Sequence, residues 1–309
     1  VKYRLLPILV LALATTLPLG ATPRGAVDVR ILDEPITNLA DHAELAARTA
    51  QRTAPVDQLL ARTSSTTDSL LVPFFEVDRR SKHGVTTLFA VRNETARELP
   101  VRILYLTNLD ASAQVVEEVR IPGHAVHTVN LRDVEGLQAD DDGIARGLVI
   151  LGVIDGWQDD SDYLSGDFLF IDPHTGFSTG NTLVNVSVSD PQNEFCAGWG
   201  TRFFNGGTLG ARTDLTFTVD IPGGAHPIDR PTAIGTVYDE QGTPVQSFEL
   251  RTDLHTFHLP ASSLVPADLP NGTISLRFLG TEGVVLLEHS ETNRIALGMK
   301  AVCRDRVEE

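Results

Sequence analysis

The sequence predicts an all-β chain: two tandem antiparallel β-sandwich domains, Ig-like or jelly-roll-like, behind a signal peptide and a short, partly helical leader. Three observations predict it. From Leu70 onward, short segments of period-two alternation follow one another, separated by turns rich in Gly, Pro, Asn and Asp. Long amphipathic helical periods are missing from that region, which argues against βαβ units. The second half restates the order of segments in the first. The resulting boundaries are 1–21 signal peptide, 22–69 leader, 70–190 first sandwich, 191–305 second sandwich and 306–309 tail.

Val1 at the start fits a literally translated GTG codon, hence a bacterial source. Lys2 and Arg4 form a basic n-region, and Leu5 to Leu19 is an apolar run of signal-peptide length, too short for a comfortable span. The small residues of "PLGA" place cleavage after Ala21. No later segment is apolar over the roughly 18 residues a spanning helix needs. The expectation is an exported, periplasmic or extracellular protein with no membrane span after cleavage. The formal charge of −16 becomes −18 once Lys2 and Arg4 are removed. An acidic chain repels phosphate backbones, which argues against nucleic acid as a partner.

Asp28 to Ser69 is poor in large apolar residues. Within it Asn38–Arg52 holds good helix formers behind the caps Asn38 or Asp41, and a second short helix is expected through "VDQLLAR" after Pro55. The segment reads as a partly ordered leader rather than a domain.

The strands then come in order. "VTTLFAV" puts Val85, Thr87, Phe89 and Val91 on one face, and "LPVRILYL" does the same with Val101, Ile103 and Tyr105. "GLVILGVI" and "DFLFI" are short buried runs, and "LVNVSVS" alternates Val184, Val186 and Val188 with polar residues. In the second half, "HTFHLPASSLV" from His255 repeats "HTVNLRDVEGL" from His127. "TISLRFLG" from Thr273 repeats "ARGLVILG" from Ala145, "GARTDLTFTV" parallels "GVTTLFAV", and "AIGTVY" parallels "VRILY". The boundary between the copies falls near Ser189–Phe195, leaving copies of a size normal for single sandwiches.

There are two cysteines, Cys196 and Cys303. In an exported chain they read as one disulfide, tying the first strand of the second copy to its last.

"LLVPFFEVDRRSKHGVTTLFAVRNET" resembles the opening of exported bacterial β-sandwich (Ig-like) modules, the likeness resting on Pro73, Phe74, Gly84, Thr86, Leu88 and Asn93. The resemblance implies a sandwich fold and export, and brings no catalytic residues with it.

Four constellations could carry chemistry. Gly176-Phe177-Ser178-Thr179-Gly180 matches the nucleophile-elbow pattern, with Asp172 and His174 just upstream. An elbow needs a strand, a tight turn bearing Ser, then a helix whose N-terminal amide helps form the oxyanion hole. Here Pro173 to Thr175 intervene and a strand-like segment follows. Ser178 is therefore expected in a hairpin loop, with hydrolysis as the alternative. Asp155, Asp159, Asp160 and Asp162 are candidate ligands for a structural Ca²⁺, as are the acids of "DVEGLQADDDG". Neither run has EF-hand spacing, and solvated Asp-rich turns are the competing reading. No other cofactor is expected. His124/His127 and His255/His258 are spaced i, i+3, which on a strand puts them on opposite faces. Trp157, Tyr163 and Trp199 are candidate ligand-contacting aromatics; otherwise they plug the ends of the sandwiches. The expected function is a non-enzymatic structural or binding protein, adhesion-like, with a protein or glycan partner. A periplasmic assembly or chaperone-type factor is the third reading.

Overall fold

The computed structural model describes residues 27–37, 66–154, 163–174, 177–186, 195–206, 211–219, 231–252, 254–279, 282–291 and 295–303. The expected signal peptide, the two leader helices, the run Asp155–Asp162 and all of the boundary segment Ser189–Phe195 except Phe195 lie outside these residues.

The described chain is all-β, in antiparallel sheets. Its first part runs β1 (Asp28–Leu32), β2 (Thr66–Asp78), β3 (Thr86–Asn93), β4 (Leu99–Thr107), β5 (Asp110–Ile121), β6 (Val126–Asn130), β7 (Ile144–Ile154), β8 (Leu164–Asp172), β9 (Phe177–Thr182) and β10 (Val184–Asn185). Its second part runs β11 (Gly198–Gly206), β12 (Ala211–Val219), β13 (Ala233–Tyr238), β14 (Pro244–Arg251), β15 (Thr256–Pro260), β16 (Asn271–Phe278), β17 (Gly283–Glu291), β18 (Ile295–Lys300) and β19 (Val302–Cys303). Among the described residues no helix is long and apolar enough to cross a membrane.

The strand orders repeat. The first part forms one sheet β10-β2-β7-β4-β5 and another β6-β3-β8-β9. In the second part, β19-β11-β16-β13-β14 takes the place of the former and β15-β12-β17-β18 of the latter; the β11–β12 hairpin joins the two ladders. All four sequence correspondences fall on matching strands: β3 with β12, β4 with β13, β6 with β15, β7 with β16. Even the short 3₁₀ turns that follow β6 and β15, Leu131–Asp133 and Ala261–Ser263, correspond.

The alternation explains the packing. Thr87, Phe89 and Val91 are buried along β3, while Leu88 and Ala90 between them are only half covered. β7 is central in its sheet, and Leu148 to Leu151 are all buried. "LVNVSVS" departs from the expected single strand. β9 ends at Thr182, Leu183 donates its N–H to the Gly166 carbonyl, and β10 crosses to pair with β2. Leu183, Val184 and Val186 are buried because the chain passes between sheets there.

Two features tie the parts together. Pro73 lacks an N–H, so β2 leaves the β7 ladder between Val72 and Phe75. The Pro73 carbonyl then accepts from Thr218 Oγ1 of β12 at 2.5 Å. Asn108 also reaches across, donating to the Thr256 carbonyl at 2.8 Å. The second feature is β1. Part of the segment expected to be leader is an edge strand, and it pairs with β14 of the second part, bypassing the first.

Candidate functional site

The β8–β9 hairpin carries the serine motif. Asp172 Oδ1 accepts the His174 N–H at 2.9 Å, so this carboxylate shapes the turn at Pro173–His174. Ser178 lies one step past the expected loop. It is exposed on β9, opposite Ile171, and the segment after it continues as strand. Gly180 also lies inside β9, opposite Leu169, rather than in a loop. Its need for glycine comes from close approach: a Cβ there would meet the Phe168 carbonyl oxygen at 2.7 Å.

The same glycine shapes a groove. On the outward face of β6-β3-β8-β9, cross-strand neighbours form two rows. One is Leu88–Leu169–Gly180 and the other is Thr128–Ala90–Asp167–Thr182. The missing side chain at Gly180 leaves a solvent-facing depression of about 530 Å³ beside Leu88 and Leu169. Leu169 is 42% exposed. The apolar floor of the depression is edged by the Asp167 carboxylate, the Thr128 and Thr182 hydroxyls and Asn181.

The other candidates fall elsewhere. Asp155, Asp159, Asp160, Asp162 and Trp157 lie outside the described residues. The second acidic run is a turn: Asp140 Oδ1 accepts the N–H groups of Asp142 and Ile144, and Asp140 Oδ2 pairs with Arg146 at 2.7 Å. Among the described residues no cluster of His, Cys, Asp and Glu could hold a metal ion. Tyr163 and Trp199, candidates either for ligand contact or for plugging the sheets, are core residues, each 4% exposed. Trp199 Nε1 donates to the carbonyls of Cys196 and Gly283 at 3.0 and 3.1 Å, which spends its polar edge inside. Cys196 and Cys303 are joined in a disulfide that closes on β11 and β19, compatible with an oxidising compartment.

A polar junction was not anticipated. β12 carries Arg212 and Asp214, and Asp214 stands directly across from Glu288 on β17. Asp214 is 8% exposed, and Arg212 Nε lies 3.3 Å from it. Two carboxylates at one cross-strand position disfavour double ionisation. Burial, then the neighbouring Asp214, pushes the Glu288 carboxyl up to about 7; a hydrogen bond from Thr179 of β9 and the Arg212 charge oppose this. Thr179 sits on the buried face of the strand that carries Ser178, so this bond also spans the two parts of the chain. Beside it, His258 Nδ1 lies 3.0 Å from Thr216 Oγ1 and its ring stands near Phe74. His289 Nδ1 lies 2.8 Å from Thr213 Oγ1. The sequence signal was Asp214, an acid inside the alternating apolar run "LTFTV" and its upstream neighbours.

No family model and no curated protein matches this chain.

Proposed function

We propose that the chain is two tandem β-sandwiches acting as an exported, non-enzymatic binding or structural protein of the adhesion type. Its partner, a protein or glycan, is held on the outward face of β6-β3-β8-β9. The observation that carries the reading is the groove beside Gly180, with the exposed Leu169 on its floor and Asp167, Thr128 and Thr182 at its edge. The repeated strand order supports the tandem reading, and the junction bonds through Pro73, Asn108 and Thr179 support a rigid mount for the groove.

The test is selection from a glycan array and a phage-displayed peptide library against the wild type, followed by Leu169→Glu. Loss of the selected binders in that variant, with the fold intact by circular dichroism, supports the reading. Binders indifferent to Leu169→Glu contradict it. Ester hydrolysis abolished by Ser178→Ala would favour the hydrolase alternative. A second reading, a periplasmic assembly factor, draws on β1: the chain already extends a sheet by adding a strand to an edge.

A further inference from the structure

β5 forms one edge of the sheet β10-β2-β7-β4-β5, and among the described residues no strand pairs with its outer side. Its counterpart in the second part of the chain, β14, has that side covered by β1. The two edges carry the same kind of triplet: Glu118-Val119-Arg120 on β5 and Glu249-Leu250-Arg251 on β14. In both, the middle residue stands opposite a fully buried apolar residue of the next strand in, Val101 or Ala233. The strand that fills the β14 edge runs antiparallel and is itself acid-x-Arg. Asp28 stands opposite Arg251, Val29 opposite Leu250 and Arg30 opposite Glu249. This edge of the fold thus accepts a strand whose acid and arginine are set against its own arginine and acid.

β5 presents to a second β5 what β1 presents to β14. In antiparallel pairing about a two-fold axis at Val119, Glu118 of each copy stands opposite Arg120 of the other, and Val119 faces itself. Moving the axis one residue either way keeps the faces aligned but sets Glu118 on Glu118 or Arg120 on Arg120, so charge selects the register. On that face the row across the seam alternates in sign, because Arg102 of β4 pairs with Glu118 at 2.8 Å and Arg120 pairs with Glu98 at 3.1 Å. Val116, Glu118 and Arg120 are exposed and Val119 is half-buried. Edges are kept from pairing by prolines, by bulges or by charges that repel a copy. Glu117–Ile121 has no proline, its pairing with β4 runs without a bulge, and its charges match a copy.

We propose that the outer edge of β5 is a self-association surface, occupied by β5 of a second copy in the register centred on Val119, so that two five-stranded sheets join into one. Main-chain hydrogen bonds and the covering of Val119 hold the seam, and the exposed charges, individually weak, fix its alignment. The seam lies on a different sheet from the groove beside Gly180 and does not depend on it.

The test is the mass of the full chain by sedimentation velocity over a concentration series, for the wild type and two variants at exposed positions whose folding is checked by circular dichroism. In the wild type the mass should double as concentration rises. Glu118→Arg sets arginine against Arg120 twice and should abolish the doubling. Glu118→Arg/Arg120→Glu makes the triplet self-complementary again and should restore it. If β1 of another copy were the occupant instead, the double variant would set Asp28 against glutamate and Arg30 against arginine, and would stay monomeric. Oxidation of variants with one added cysteine checks the register. Val119→Cys should link two copies, whereas Val116→Cys, more exposed but about 20 Å from its mate in this register, should not. The proposal is overturned if the wild type stays at the mass of one chain throughout, or if Glu118→Arg doubles as the wild type does. It is equally overturned if the double variant fails to recover, or if Val116→Cys links as readily as Val119→Cys.

Discussion

Replacing Glu288 by Gln removes an ionisation that the fold disfavours, and the effect should depend on pH in a definite direction. Glu288 faces Asp214 across the β12–β17 ladder, with Arg212 nearby and Thr179 of β9 bonded to it. Its carboxyl titrates at about 7 in the fold against 4.5 when unperturbed. The folded state thus holds the proton more tightly than the unfolded chain. The stability this contributes is fully present below pH 4.5 and is lost as pH rises to about 7. At about 1.4 kcal/mol per pH unit, the loss is at most about 3 kcal/mol. Glu288→Gln keeps the shape and cannot ionise. At pH 8 it should therefore be more stable than the wild type by up to about 3 kcal/mol, a rise of roughly 5 °C in Tm. At pH 4 the two should coincide. The measurement is urea unfolding of both proteins from pH 4 to pH 8. Taking their difference cancels groups whose titration does not depend on Glu288, among them His289, whose imidazole is held below its ordinary value by burial. A difference that does not vary with pH, or a variant less stable at pH 8, would refute the reasoning.

Asn93 is fully buried at the end of β3, where its amide donates to the carbonyls of Arg97, Ile121 and Pro122 and its oxygen accepts from Thr95. Asn93→Ala removes those bonds from a buried site and should cost about 3 kcal/mol in chemical unfolding. Reducing Cys196–Cys303, which are 107 residues apart, should lower stability by about 4–5 kcal/mol in urea with and without dithiothreitol. Ser178→Ala, at an exposed strand position, should change stability by less than about 0.5 kcal/mol and leave any ester turnover unchanged.

Strand periodicity carried most of the fold, because a half-buried strand writes its burial into every second residue. Phe89, Val91, Val101 and Ile103 were legible for that reason. The repeat was legible because equivalent strands face equivalent neighbours. "LVNVSVS" was misjudged because alternation cannot reveal a chain that changes sheets at Leu183. β1 was missed because an edge strand held mainly by main-chain bonds buries little, so "DVRIL" looks like solvated leader. Tyr163 and Trp199 were ambiguous because composition near a turn does not say which way a ring points. The Asp214–Glu288 junction depends on register between strands distant in sequence, which no local pattern encodes. Ser178 shows the converse: the motif was legible, but the strand that follows it takes away the helix that an elbow requires.

The most direct measurement of the proposed binding face is the amide chemical-shift footprint of a ligand selected on the wild-type protein. The account predicts shifts centred on Leu88, Ala90, Asp167, Leu169 and Gly180, with β11–β19 undisturbed. A footprint centred on the second part of the chain, or on Ser178 with release of a hydrolysed product, would contradict it.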